Sequence, residues 1–159
     1  TSSFLARALA RCMRAAFVVA GGSRGRFHQE KGPAPLGRGA FSVVVPGADG
    51  DFGVLPGHAP VLSNLRPGVV DIYNEGAVTK SLFVEGGFVE VTGERCILLA
   101  TDAKDVAEIS PEDANTRLAM AQEAVIATDD NGKGAAAREL IIAEAMKYAV
   151  NNRSASASA

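Results

Sequence analysis

The chain has 159 residues, enough for one domain or one domain with an appendage, and its 47% hydrophobic and 21% charged composition is that of an ordinary globular protein. Its net charge of −2 conceals an asymmetry: residues 1–38 carry seven Lys/Arg against one acid, and residues 39–159 carry nine against 17. An acidic body argues against a nucleic-acid partner, and no apolar run approaches the ~20 residues of a membrane-spanning helix, so no direct membrane insertion is expected.

Residues 1–17 place Arg7, Arg11 and Arg14 at i, i+4 and i+7, with Phe4, Leu5, Ala8, Leu9, Cys12 and Ala16 largely opposite, in a stretch free of acids. The pattern predicts a basic amphipathic extension over residues 1–15, of the kind found in mitochondrial targeting segments. A surface helix with a solvated basic face fits it too. Residues 16–20 (AFVVA) offer a first strand, 21–39 a loop rich in Gly, Pro and Arg, and 41–45 (FSVVV) a strand that stops at Pro46 and Gly47. Gly21, Gly22 and Gly25 form a lone GGxxG without the strand–helix setting of a dinucleotide site, and read as loop.

Residues 46–68 combine Gly47, Gly50, Gly53, Gly57 and Gly68 with Pro46, Pro56, Pro60 and Pro67. Glycine opens positive φ and proline fixes φ and removes a donor, so the run predicts a shaped loop and not a helix or central strand. Phe52, Val54, Leu55, Val61, Leu62 and Leu65 are too apolar for a solvated linker. The loop is therefore clamped to a core, with Asp51 and His58 as its polar tips. Residues 68–73 and 78–84 then form a hairpin around Asn74–Gly76, and Gly86 and Gly87 mark a bulge or a close backbone approach. Residues 88–92 alternate, and 95–101 form a buried run in which Cys96 acts as a small hydrophobe. Short strands at this spacing predict a β-sandwich.

Ser110, Pro111 and Asp113 are a helix start, and Ala114, Leu118, Ala121 and Val125 form one stripe. Residues 128–134 break the pattern. Ala137, Ile141, Ala145 and Tyr148 form a second stripe over about residues 135–150. Two helices of roughly 16 residues predict an antiparallel hairpin that leans on another surface, since alanine seams bury little area. Residues from Ser154 onward are low-complexity.

Chemistry is sparse. His28 and His58 are the histidines, and His58 has Asp49 and Asp51 nearby but no Ser or Cys nucleophile, so contact or turn formation outweighs a hydrolase reading. Cys12 and Cys96 make no metal or disulfide motif, and no phosphate-cradling Gly-Lys-Ser/Thr loop is present. No catalytic residue, cofactor or metal is expected.

The 46–68 stretch, with 68–73 (GVVDIY), 83–91 (FVEGGFVEV) and 98–103 (LLATDA), closely resembles the small central-stalk subunit of F-type ATP synthases, called epsilon in bacteria and chloroplasts and delta in mitochondria. The resemblance covers roughly residues 41–105, and the helical tail by pattern alone. It implies an α+β fold: a β-sandwich of about ten strands over 16–105, an antiparallel helical hairpin over 106–152 and a frayed tail over 153–159. Relatives open with two strands joined by a short turn, shorter than 21–40 here, so the first strand's position is open.

The resemblance further implies a non-catalytic rotor subunit that packs on gamma and rests Asp51, Phe52, Pro56, Gly57 and His58 on the c-ring loops. The basic start points to the mitochondrial form, on the matrix side of the inner membrane, where relatives also bind a very small epsilon subunit; bacterial or plastid membranes are the alternative. Some bacterial relatives carry an Ile/Leu-Asp-x-x-Arg-Ala motif tied to ATP binding. Residues 109–117 do not match it in register, so no nucleotide is expected. A stand-alone β-sandwich ligand-binding module is the alternative function.

Overall fold

Runs of valine broken by glycine and proline pair as strands because alternate β-branched side chains bury one face while the turns reverse the chain. In the computed structural model, which describes residues 14–19, 41–74, 76–93, 95–129 and 132–156, the chain builds one curled sheet. Its strands are β1 (Arg14–Val19), β2 (Phe41–Gly47), β3 (Gly50–Val54), β4 (Val61–Leu65), β5 (Gly68–Asn74), β6 (Ala77–Val84), β7 (Gly87–Val91), β8 (Arg95–Ala100) and β9 (Ala103–Asp105). Their order is β1-β8-β7-β4-β2-β5-β6-β9, with β3 paired to β2. β1 runs parallel to β8; the other pairs are antiparallel.

The sheet folds over at β2. Residues 41–44 pair with β5, whereas Gly47 pairs with Leu65 of β4, so one strand serves both layers. Pro46 sits at the switch, fully buried, where a residue without an N–H fits. It packs so closely on Gly68 that a Cβ there would lie 2.8 Å from Pro46 Cβ. The layers close over Val43, Val45, Val54, Val70, Val89 and Leu98, all fully buried. Cys96 lies among them, and burial pushes its thiol up to about 11, so it packs as the expected small hydrophobe.

A 3-10 turn (Val106–Glu108) leads to Ser110, whose Oγ accepts a hydrogen bond from the Asp113 amide at 3.0 Å and caps α1 (Pro111–Ala127). After the turn, α2 (Lys133–Ser156) folds back along α1, so that Ala114 at the start of α1 shares an apolar cluster with Ile142, Met146, Ala149 and Val150. Phe83, Val106 and Ile109 belong to the same cluster, which seats the helix pair on the outside of the sandwich.

The α+β class stands, and several details change. There are nine strands among the described residues instead of about ten, and β2 serves both layers. The 46–68 run is not one loop: β3 and β4 occupy it, and β3 is an edge strand, where Gly50 and Gly53 weaken little pairing. Residues 14–17 begin a strand in register with β8 and do not continue a helix. The remainder of the basic extension (1–13), the 21–39 loop and His28 lie outside the described residues. α2 has 24 residues, more than the roughly 16 expected. Its stripe is one residue out of phase: Ile142 and Met146 are buried, while Ile141 and Tyr148 are 56% and 68% exposed. Contact with Phe83 and Val106 selects the face in a helix that is apolar on more than one side.

The phase can be tested by unfolding the purified chain in urea. Ile142→Ala is expected to cost about 2–5 kcal/mol, and Ile141→Ala less than about 0.5 kcal/mol. Equal losses would contradict the helix orientation described.

Candidate functional site

β3 and the turns flanking it carry all five residues singled out from the sequence, but the fold does not gather them at one point. At the first end the chain reverses through Ala48 and Asp49, and Gly50 holds φ at +138°. Asp51 follows, opposite Pro46, and its Oδ1 accepts a hydrogen bond from Arg66 Nη2 at 2.6 Å. Both side chains are about half exposed, so the pair adds little net stability and mainly fixes where the two charges stand. Phe52 turns inward: it packs against the valine core, and its ring covers Gly47, where a Cβ would lie 2.8 Å from Phe52 Cε1.

At the other end residues 55–58 form a β-turn, with the His58 amide donating to the Leu55 carbonyl at 3.0 Å. Pro56 and Gly57 take the central positions, and Gly57 has φ +82°, the combination a type II turn demands. The Gly57 amide also donates to the Gly93 carbonyl at 3.3 Å, tying this turn to the one between β7 and β8. His58 Nδ1 lies 2.7 Å from the Ala59 carbonyl oxygen. Since a carbonyl only accepts, Nδ1 carries the proton and donates, and a neutral ring offers Nε2 as an acceptor. Leu55, beside it, is 58% exposed.

Asp51 stands next to Arg66, just past Leu65, whereas the 55–58 turn is tied to Gly93, just past Val91, which pairs with Val61. The two ends are thus separated by about the length of β4, roughly 13 Å. Pro56, Gly57 and His58 form a tip with Leu55; Asp51 forms a charged corner with Arg66; Phe52 packs inward over Gly47.

Two surfaces escaped the sequence. Leu62, Phe88 and Leu99 are exposed by 73%, 53% and 41% on the outward positions of β4, β7 and β8, and Phe88 stands directly opposite Leu99. Glu90 interrupts this apolar face between Leu62 and Ile97. The available signal was that Leu62 and Phe88 fall on the polar phase of their strands, where a large hydrophobe needs another reason to be. The second surface is a groove of about 940 Å³ between α2 and the outer face of the other layer. Ile141 and Tyr148 line one side, Val44 and Val78 the other, with Asp71 and Glu144 as acids. It arises from the shifted phase of α2, which the heptad-like spacing alone did not reveal. Among the described residues no three His, Cys, Asp or Glu side chains converge as a metal site, and no helix is long and apolar enough to cross a membrane.

The family model for the ATP synthase delta/epsilon chain β-sandwich domain matches residues 37–106, which include β2 through β9. The ATP synthase epsilon chain of Rhodospirillum rubrum is 50% identical over 105 residues, covering 65% of this chain and 78% of the relative. The chain belongs to the ATP synthase delta/epsilon family. The epsilon chain of Paramagnetospirillum magneticum, also 50% identical, matches over 109 residues, 68% of this chain and 82% of the relative. The fold is also similar to that of chains in two solved assemblies. A chain in the Euglena gracilis mitochondrial ATP synthase structure matches at TM-score 0.66 and 20% identity, covering 86% of this chain and 81% of the other. A chain in the Tetrahymena thermophila mitochondrial ATP synthase central stalk and c-ring structure matches at 0.55 and 15%, covering 87% and 97%. At these identities the likeness is one of fold, and it reaches past the sandwich into the helices.

Two glycines of this delta/epsilon sandwich separate backbone strain from crowding. Gly57→Ala meets open space and is expected to cost about 1–2 kcal/mol from its positive φ. Gly87, at φ +135°, would put a Cβ 2.0 Å from the Leu99 carbonyl oxygen, so Gly87→Ala should cost more and lower the melting temperature further. Thermal melts of the two variants decide it; a milder loss at Gly87 would contradict the close β7–β8 approach.

Proposed function

We propose that the chain is a non-catalytic rotor subunit of a proton-transporting F-type ATP synthase, coupling rotation of the c-ring through gamma to ATP synthesis. Family membership carries this reading, joined to one structural observation: two different surfaces project from a single stiff sandwich. The 55–58 turn is a small exposed tip, closed by its own hydrogen bond and tied to Gly93 by a second, suited to resting on short polar loops. The face of Leu62, Phe88 and Leu99 is apolar and fits a long-lived partner. In this reading Pro56, Gly57 and His58 at one end of β3 and Asp51 at the other meet the c-ring loops, with Phe52 packed inward between them, and the apolar face meets gamma. The solved assemblies of similar fold are themselves ATP synthases containing a c-ring, which supports the assignment.

The chain's contribution is mechanical. Torque passes between two contacts only if the body between them does not shear, and a valine core with closely approaching strands is such a body. Proton transfer and nucleotide chemistry then belong to other subunits. The basic composition of residues 1–15 supports a mitochondrial form lying peripherally on the matrix side of the inner membrane, with a very small epsilon subunit as a further partner. The 50% identity to epsilon chains of Rhodospirillum rubrum and Paramagnetospirillum magneticum supports a second location, on a bacterial membrane.

Charge reversal tests the ring contact. Asp51→Lys with His58→Ala would set two cations together at the Arg66 corner and remove the imidazole from the tip. ATP-driven proton pumping in vesicles carrying the assembled enzyme is expected to fall several-fold, while ATP hydrolysis by the detached catalytic sector stays within about twofold. Unchanged pumping would sink the ring assignment. Phe88→Asp should separately reduce co-purification of gamma by about tenfold or more. A chain that runs alone and binds a small ligand in the α2 groove would instead favour a stand-alone ligand-binding module.

A further inference from the structure

The helix pair is attached to the sandwich unevenly. α2 buries Ile142, Met146, Ala149 and Val150 against Phe83, Val106 and Ile109, whereas α1 contributes Ala114 alone to that cluster. A further link from α1 is Arg117. Its Nη1 donates to Glu85 Oε1 at 2.6 Å and its Nε donates to Glu139 Oε1 at 2.6 Å, so one guanidinium joins the β6–β7 corner, α1 and α2.

The corner is fixed before the helices reach it. The Glu85 amide donates to the Asp102 carbonyl at 3.2 Å, and the Gly86 carbonyl accepts from Thr101 at 3.0 Å. Glu85 and Arg117 side chains are 17% and 25% exposed, and Glu139 is 43% exposed, so the triad is partly withdrawn from water. Arg117 is held above its ordinary value first by the hydrogen bond to Glu139 and then, against burial, by Glu85. Its charge is therefore constant. Arg138 borders the corner as well: a Cβ on Gly86 would lie 3.9 Å from Arg138 Nη2.

We propose that Arg117 is a latch that keeps both helices down on the sandwich as one unit, through its simultaneous pairing with Glu85 and Glu139. The pairing has an asymmetric consequence. With Arg117 present, each carboxylate faces a cation. Without it, two half-buried carboxylates face each other across the helix–sandwich joint, and attraction turns to repulsion. Loss of one side chain thus loosens the whole helix pair, beyond what one missing surface ion pair would do, and exposes the apolar cluster around Phe83. Lysine replaces the arginine only in part, because a single ammonium keeps the charge but lacks the fork that reaches two acceptors in fixed directions. The latch is independent of the rotor assignment and is testable on the isolated chain.

Hydrogen exchange read by mass spectrometry on the full chain resolves the helices from the strands. In Arg117→Met, exchange in both 111–127 and 136–150 is expected to rise about tenfold while 87–100 stays within about twofold. Arg117→Lys should fall between, at about threefold. Adding Glu85→Gln to Arg117→Met should recover part of the loss by removing the repulsion. Helix exchange unchanged in Arg117→Met, loosening of α1 with α2 unaffected, or faster exchange across all three regions would each overturn the latch.

Discussion

The corner at Pro46 sets the geometry of everything around it. β2 pairs with β5 through residues 41–44 and then meets β4 at Gly47, so the two layers share a strand and cannot slide past each other. A shared strand brings backbones closer than side chains normally allow. Pro46 needs no hydrogen-bond acceptor there, and Gly68 leaves room for its ring. The hairpin beyond the corner launches β3 as an edge strand, and β3 ends in the turn bound to Gly93. The density of glycine and proline between residues 46 and 68 thus serves the one layer switch at Pro46 and the turns at either end of β3.

That account explains what was legible in the sequence. Local signals held where local chemistry decides: Ser110 caps α1, Gly76 turns the β5–β6 hairpin at φ +84°, and Val89 and Val91 are buried between exposed Phe88 and Glu90. Signals failed where a distant partner decides. Nothing near Asp51 in sequence announces Arg66, 15 residues on, and nothing in residues 46–60 says that the turn after β3 hangs from Gly93. The choice between Ile141 and Ile142 is of the same kind. Both are branched aliphatics on one apolar-rich helix, and contact with Phe83 and Val106 alone selects the buried one. The five residues read as one contact patch were adjacent in sequence, and an extended strand between them carried the ends roughly 13 Å apart.

The two parts of the molecule also differ in how they are held. The sandwich is closed by valines buried on both layers and by strand pairs that run the length of β5, β7 and β8. The helix pair is seated by one face of α2, with small side chains at Ala114 and Ala121 and an ion triad on its far side. α1 enters the shared cluster through Ala114 alone, so the hold on the pair rests on one face of α2 and this joint is the more compliant one.

Compliance bears on which surfaces can transmit force in a rotor. Strain in a chain of contacts concentrates at the softest joint, and here that joint lies between α2 and the outside of β5 and β6. A force path through the helices would open the Arg117 triad and the Phe83 cluster before it moved the strands. A path from the 55–58 turn through β4 and β7 to the face of Leu62, Phe88 and Leu99 stays within hydrogen-bonded strands throughout. The sandwich alone joins the two ends without crossing the soft joint. In the proposed rotor role the helix pair lies off this path, so loosening of the Arg117 triad leaves the strand-to-strand contacts in place.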